Sequence, residues 1–249
     1  YDSGVVGCPE PYMKRTSHGM ILAGDGRKMS KSFNNVINPD DLVKEYGADT
    51  VRAYEMFIGA FDQTIPWSTT GVKGCRRFLE RVWRLQDMVV EGDGIRKEMA
   101  AAVHGCIKKV SEDFERMKFN TAIAAMMSLV NDFYAKGGVT REVLRTLLIL
   151  MNPVTPHITE EMNQLLGYTT PIYECKWPEC DESALVKEEM EIAVQINGKV
   201  RAKMNVAVGM EQEALREAVL ANPEVIPWVE GKNIVKFIAI RNIVNVVVK

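Results

Sequence analysis

At 249 residues, with 47% hydrophobic and 26% charged side chains, the chain is long enough to bury a substantial core and has the makeup of a soluble globular protein. Its formal charge of -2 excludes a uniformly basic nucleic-acid coat, so any nucleic-acid partner would have to meet local patches. Five cysteines without a C-x-x-C pair (Cys8, Cys75, Cys106, Cys175 and Cys180) argue against a zinc site, and the lack of a long apolar run or a basic-then-apolar start argues against a membrane span or signal peptide, so a cytoplasmic protein with reduced thiols is expected.

Residues 1–35 are rich in Gly and polar side chains, and Tyr1 stands where a Met would open a whole chain, which reads as a piece of a longer protein. The apolar run Met20-Ile21-Leu22 predicts a strand leading into the turn Gly24-Asp25-Gly26. Helix signals begin at Asn38, an N-cap residue followed by Pro39, Asp40 and Asp41, and end at Gly47; a second helix runs from about Asp49 to Ile58. From Thr69 to about Val90, Val72, Cys75, Phe78, Leu79, Val82, Trp83, Gln86 and Val89 recur at spacings of three and four, with Gln86 the single polar exception, which predicts a long amphipathic helix. Three more helices are expected at roughly 95–116, 120–136 and 140–166, the last broken by Pro153 and Pro156, and short connections make the four an antiparallel bundle.

Beyond Pro171 the stretch "IYECKWPECDES" has turn chemistry and no period. The period then changes from helix to strand. Residues 191–206 read as two alternating segments around Asn197-Gly198, the pair that a type I′ hairpin favours. A helix from Glu211 to Leu220, a short Pro-bounded one to Val229 and the β-rich end "NIVKFIAIRNIVNVVVK" complete a small α+β domain. The fold class expected is therefore mainly α, a helical bundle followed by a small α+β domain.

The segment "GRKMSKSFNN" (26–35) gathers Arg27, Lys28 and Lys31 around Ser30 and Ser32 on a loop. Lysines on loops are common, but a given pentapeptide of this composition should occur by chance in such a chain only roughly once in 10⁴. Lys28 and Lys31 are point charges on flexible stems, suited to follow negative charge onto a departing pyrophosphate, and Ser30 and Ser32 can donate to phosphate oxygens. The glycines before them make no G-x-G-x-x-G or P-loop cradle and read as the turn that presents the lysines.

Lys28-Met29-Ser30-Lys31-Ser32, followed by "NVINPDDLVKEYGADTVRAYEMF", resembles the second signature of the class I aminoacyl-tRNA synthetases. The longer context is similar to the bacterial leucyl-tRNA synthetases, with "PWSTTGVKGCRRFLERVWRL", "NPVTPHITEEM" and "VQINGKVRAKMNV" following in the same order. The resemblance implies that residues 1–35 end a Rossmann-type catalytic domain, 36–68 form connecting helices at the stem, 69–175 form an anticodon-binding-type bundle and 176–249 form a C-terminal domain that contacts tRNA. It implies ATP-dependent attachment of leucine to tRNA(Leu) through leucyl-adenylate, with ATP and Mg²⁺ as partners, in a cytoplasmic monomer. Lys31 and Lys28 are then the catalytic candidates, and Lys28, Met29, Ser30, Lys31 and Ser32 the ATP-binding ones, with positioning and charge compensation as their contribution. No metal site is expected.

Phe33-Asn34-Asn35 depart from the family's usual Lys-Gly-Asn, although Asn can take the left-handed conformation of the missing Gly. The first signature, His-Ile-Gly-His, is not among these residues, since "SHGMI" (17–21) lacks the second His, so the chain is not expected to aminoacylate alone. Rival readings are a valyl- or isoleucyl-tRNA synthetase, against which the "QINGKVRAK" hairpin speaks, and a non-catalytic tRNA-binding protein.

Two basic faces are the candidate tRNA contacts. Lys73, Arg76, Arg77, Arg81 and Arg84 lie opposite the apolar stripe of their helix with Glu80 the one acid among them, a one-sided run in a chain of net negative charge. On the second hairpin strand, alternation puts Lys199, Arg201 and Lys203 on one face and Val200, Ala202 and Met204 on the other; such cations would position tRNA without reading its sequence. In "NPVTPHITEEM", His157 and Glu161 share a helical face, but the spacing is not H-E-x-x-H and the acids suit a helix start. Trp67, Trp83, Trp177 and Trp228 read as packing residues.

Overall fold

The short strand β1 (Ile21–Leu22) pairs in parallel with β2 (Ile65–Pro66) because Gly19, just upstream, lets two backbones close to contact. The Gly19 amide donates to Phe61 O at 2.8 Å, and a Cβ at Gly19 would sit 1.8 Å from Gln63 O. This is a computed structural model that describes residues 1–185, 189–207 and 209–249, and the chain divides into two units, Tyr1–Glu182 and Ser183–Lys249.

In the first unit, α1 (Pro39–Tyr46) starts as its sequence dictates, with Asn38 Oδ1 accepting from the Asp40 amide and Pro39 in the first turn. Gly47, at φ 88°, turns the chain directly into α2 (Ala48–Phe57). The next helix, α3 (Thr69–Arg84), is capped by Ser68, whose side chain accepts from the Gly71 amide. It ends six residues before the expected Val90. A 3₁₀ turn over Leu85–Met88 leads into β3 (Val89–Val90), which pairs in parallel with β4 (Val139–Thr140). Two adjacent valines suit a strand better than a helix end, and a ladder partner fifty residues on overrides the helical period.

Helices α4 (Lys97–Glu115) and α5 (Phe119–Ala135) pack as a hairpin, and α6 (Arg141–Met151) and α7 (Pro156–Leu165) follow, with Pro156 at the start of α7. Their apolar faces meet around Leu85, Ile123, Met126, Phe133, Leu144 and Leu147, all essentially inaccessible to water. Asp113 is buried between α4 and α5 and accepts from Lys109 Nζ at 2.5 Å and from Thr121 Oγ1 at 2.6 Å. Buried acids need such partners.

The second unit is a four-stranded sheet carrying α8 (Gln212–Leu220) and α9 (Ile226–Val229). Its strands β5 (Glu189–Ile196), β6 (Lys199–Ala207), β7 (Ile234–Ile240) and β8 (Ile243–Val248) lie in the order β6-β5-β8-β7, with β5 and β8 parallel and the other neighbours antiparallel. Ile192, Val194, Ile196, Ala202, Val219, Val225, Val244 and Val246 form its core. The β5–β6 turn has Asn197 at φ 50° and Gly198 at φ 81°, the positive values a type I′ turn needs.

One strand face departs from the alternation expected. A bulge sets Val200 opposite Gln195 and Ala202 opposite Val194, leaving Arg201 as the extra residue. Lys199 consequently pairs with the buried-face residue Ile196 and does not share the face of Lys203, which pairs with Ala193, while Val200 is 54% exposed.

Candidate functional site: a lysine loop and two basic surfaces

The loop at 28–35 is held by its own polar groups. Ser30 caps a 3₁₀ turn over Lys31–Phe33, its hydroxyl accepting from the Ser32 amide and lying 2.6 Å from Ser32 Oγ. Asn35 closes the loop from the other side, its Oδ1 accepting from the Ser30 amide at 2.8 Å and its Nδ2 donating to Lys28 O at 3.2 Å. Asn34 occupies the left-handed region at φ 48°, which Asn tolerates better than most residues, and Arg27 covers the Phe33 ring while pairing with Asp25. Met29 and Ser30 are half-buried; Lys28 and Lys31 are exposed, and neither ammonium has a partner among the described residues. The loop is thus a shaped backbone carrying two uncommitted cations.

On α3 the five basic residues have different fates. Arg76 donates to Glu80 Oε1 at 3.0 Å and to Tyr46 O, and Arg81 lies over the Tyr134 ring and donates to Asn131 Oδ1 at 2.7 Å. Arg81 sits at the edge of the basic face, where α5 packs, which is why it is half-buried. Lys73, Arg77 and Arg84 are exposed and have no partner among the described residues. Trp83, at the opposite edge, is 41% exposed and so is not a core residue.

In the second unit, Arg201 stacks on Trp228 with its guanidinium 3.6 Å from the ring centroid, Lys203 pairs with Glu191 at 3.0 Å, and Lys199 is exposed. Trp67 and Trp177 do pack as expected, against Tyr54 and Phe114.

The start of α7 is anchored by a residue the sequence reading passed over. Asp49 on α2 is buried, and its carboxylate accepts from His157 Nδ1 at 2.7 Å and from the Ile158 amide at 2.7 Å. One turn along, Arg52 donates to the carbonyls of Pro153 and Val154. Asp49 lies in the first turn of α2, and its partners stand more than a hundred residues away, so no local signal reveals its role. His157 is held structurally, as its sequence context suggested. Among the described residues no group of three or more His, Cys, Asp or Glu is placed to hold a metal ion, and no helix is long and apolar enough to cross a membrane.

Residues 5–66 match the family model for tRNA synthetases class I (I, L, M and V), and residues 96–216 match the model for the anticodon-binding domain of tRNA ligase. A leucine--tRNA ligase of Alkaliphilus oremlandii (strain OhILAs) is 52% identical over the whole chain, which spans 31% of that relative. The agnB2 LeuRS of Agrobacterium radiobacter K84, solved in a ternary complex with tRNA and LeuAMS, superposes with a TM-score of 0.72 at 34% identity, covering all of this chain and 35% of that one. Two separate family models, and a match along the whole of this chain that spans about a third of the relatives' length, make the chain similar to the class I aminoacyl-tRNA synthetases and, among them, to the leucine--tRNA ligases.

Proposed function

We propose that the chain serves a leucine--tRNA ligase, supplying the signature loop and the tRNA-binding surfaces for ATP-dependent attachment of leucine to tRNA(Leu) through leucyl-adenylate. The observation that carries this is the loop itself: Lys28 and Lys31 project from a backbone fixed by Ser30, Ser32 and Asn35, with no ion pair among the described residues to break before they meet phosphate. Attack of the leucine carboxylate on the α-phosphate releases pyrophosphate, so the gain comes from cations placed where negative charge develops. Lys31 is assigned the larger share and Lys28 the smaller. Ser30, Ser32 and Met29 shape the ATP contact, with Ser30 and Ser32 able to turn their hydroxyls from each other to phosphate oxygen. Mg²⁺ would accompany the ATP phosphates; Asp25, beside the loop, is paired with Arg27.

In this proposal residues 1–35 close a catalytic domain, 36–68 link it to the bundle at 69–175, and 176–249 form the C-terminal tRNA-contacting part of a cytoplasmic, monomeric enzyme. Lys73, Arg77 and Arg84, without a partner among the described residues, are the α3 cations for tRNA, with Arg76 and Arg81 set by neighbours, and Arg201, Lys203 and Lys199 act from the hairpin. The test is leucine-dependent ATP–pyrophosphate exchange by the full-length enzyme. Lys31→Ala should slow exchange about 10²- to 10³-fold, the scale for loss of one transition-state donor. Unchanged exchange would refute the assignment.

A further inference from the structure

We infer that the groove between α3 and the start of α7 seats one unstacked nucleobase of a bound RNA together with its phosphate. The inference rests on the tRNA reading above and sharpens it, from a charged surface to a seat for one nucleotide. The groove encloses about 590 Å³, within the range of small-ligand sites. Trp83 on its wall keeps 41% of its surface in water although buried Leu79 and Val82 are its close neighbours on α3, so an aromatic face is held open to the groove. Stacking on such a face suits any base.

The charges around it are already sorted. Glu80 is neutralised by Arg76, and Asp49 is taken up by His157 and the first amides of α7, which also closes that helix end to an outside anion. Arg84, beside Trp83 in the groove, is left as a cation with no partner among the described residues, ready for a phosphate. His157 is steered by Asp49 through Nδ1, and its Nε2 has no protein partner among the described residues, leaving a hydrogen-bonding edge for a base or ribose. A paired, stacked base could not reach the indole, so the occupant comes from a loop, bulge or end of the RNA.

Binding of tRNA by the full chain, measured across a salt series, tests this with Trp83→Leu, which keeps bulk but loses the ring, and Trp83→Tyr, which keeps a ring. Trp83→Leu should weaken binding about tenfold without changing the salt slope, and Trp83→Tyr should regain most of it. Wild-type affinity in Trp83→Leu overturns the inference, and so does a loss that Trp83→Tyr fails to restore. Arg77→Glu with Arg201→Glu reports on the tRNA reading separately. If that pair loses affinity and slope while Trp83→Leu binds normally, the groove reading fails alone; if the unaltered chain binds no tRNA, both fail.

Discussion

Asp49 and His157, 108 positions apart, share a 2.7 Å hydrogen bond, and the same carboxylate caps α7 through the Ile158 amide. A buried acid at a helix N-terminus meets both free amides and the positive end of the dipole. Asp49→Ala would orphan those donors and is expected to cost about 1–3 kcal/mol in urea unfolding. His157→Ala, removing a mostly exposed ring, should cost less. Equal losses for the two would show that the ring contact, and not the cap, holds the junction.

Gly19→Ala should be among the most damaging small substitutions in the chain. The new Cβ would overlap Gln63 O, a backbone atom that cannot rotate away, so β1 and β2 must part. A loss of about 2–4 kcal/mol is expected from such overpacking, read as a lowered midpoint in thermal unfolding. A neutral result would mean that the β1–β2 bridge is not essential to the first unit.

Asp113 predicts an acid limb in the stability profile. Burial pushes its pKa up, but hydrogen bonds from Lys109 and Thr121 and the charges of Lys109 and Lys118 outweigh it, so the carboxyl titrates below its ordinary value. A lowered folded pKa means stability that is full above the ordinary carboxylate range and is lost as pH falls through that range to the lowered value. Asp113→Asn should flatten this limb relative to the parent when unfolding free energy is followed from neutral to acid pH.

Thiol chemistry should separate surface from core. Burial pushes Cys75 up to about 11, and burial together with Asp132 pushes Cys106 up to about 12, whereas Cys8 is exposed. A disulfide reagent at about pH 8 should modify Cys8 in the folded protein and leave Cys75 and Cys106 intact until denaturant opens the bundle. Rapid modification of Cys106 without denaturant would contradict the packing of α4.

The free cations on α3 predict a particular salt signature. Lys73→Glu and Arg77→Glu should each weaken tRNA binding and reduce its salt slope by roughly one, whereas Arg81→Gln should disturb stability more than slope. Equal slopes in all three variants would remove α3 from the interface.

Local signals carried most of the architecture. Asn38-Pro39, Gly47, Asn197-Gly198 and the two prolines around α7 each act within a few residues, so their outcomes could be read directly. What escaped depends on distant partners. The helix expected through Val90 stops at Arg84 because Val89 finds Val139, and Lys199 and Val200 leave their expected faces because the β5–β6 ladder slips by one residue. For the candidate site, the loop was legible in its spelling, but which arginines are free, and that Trp83 faces water, depend on α5, α7 and Glu80.

The place of β8 has a consequence for biosynthesis. It is the latest strand in sequence yet sits inside the sheet, zipped on one side to β5 and on the other to β7. The α4–α5 hairpin can form from neighbours as it leaves the ribosome, but β5 must wait some fifty residues, from Ala193 to Ile243, for its parallel partner. During that interval the β5–β6 hairpin travels with one side unmatched, so a pause or premature stop before Ile243 would release a nascent chain with a sticky β5 edge.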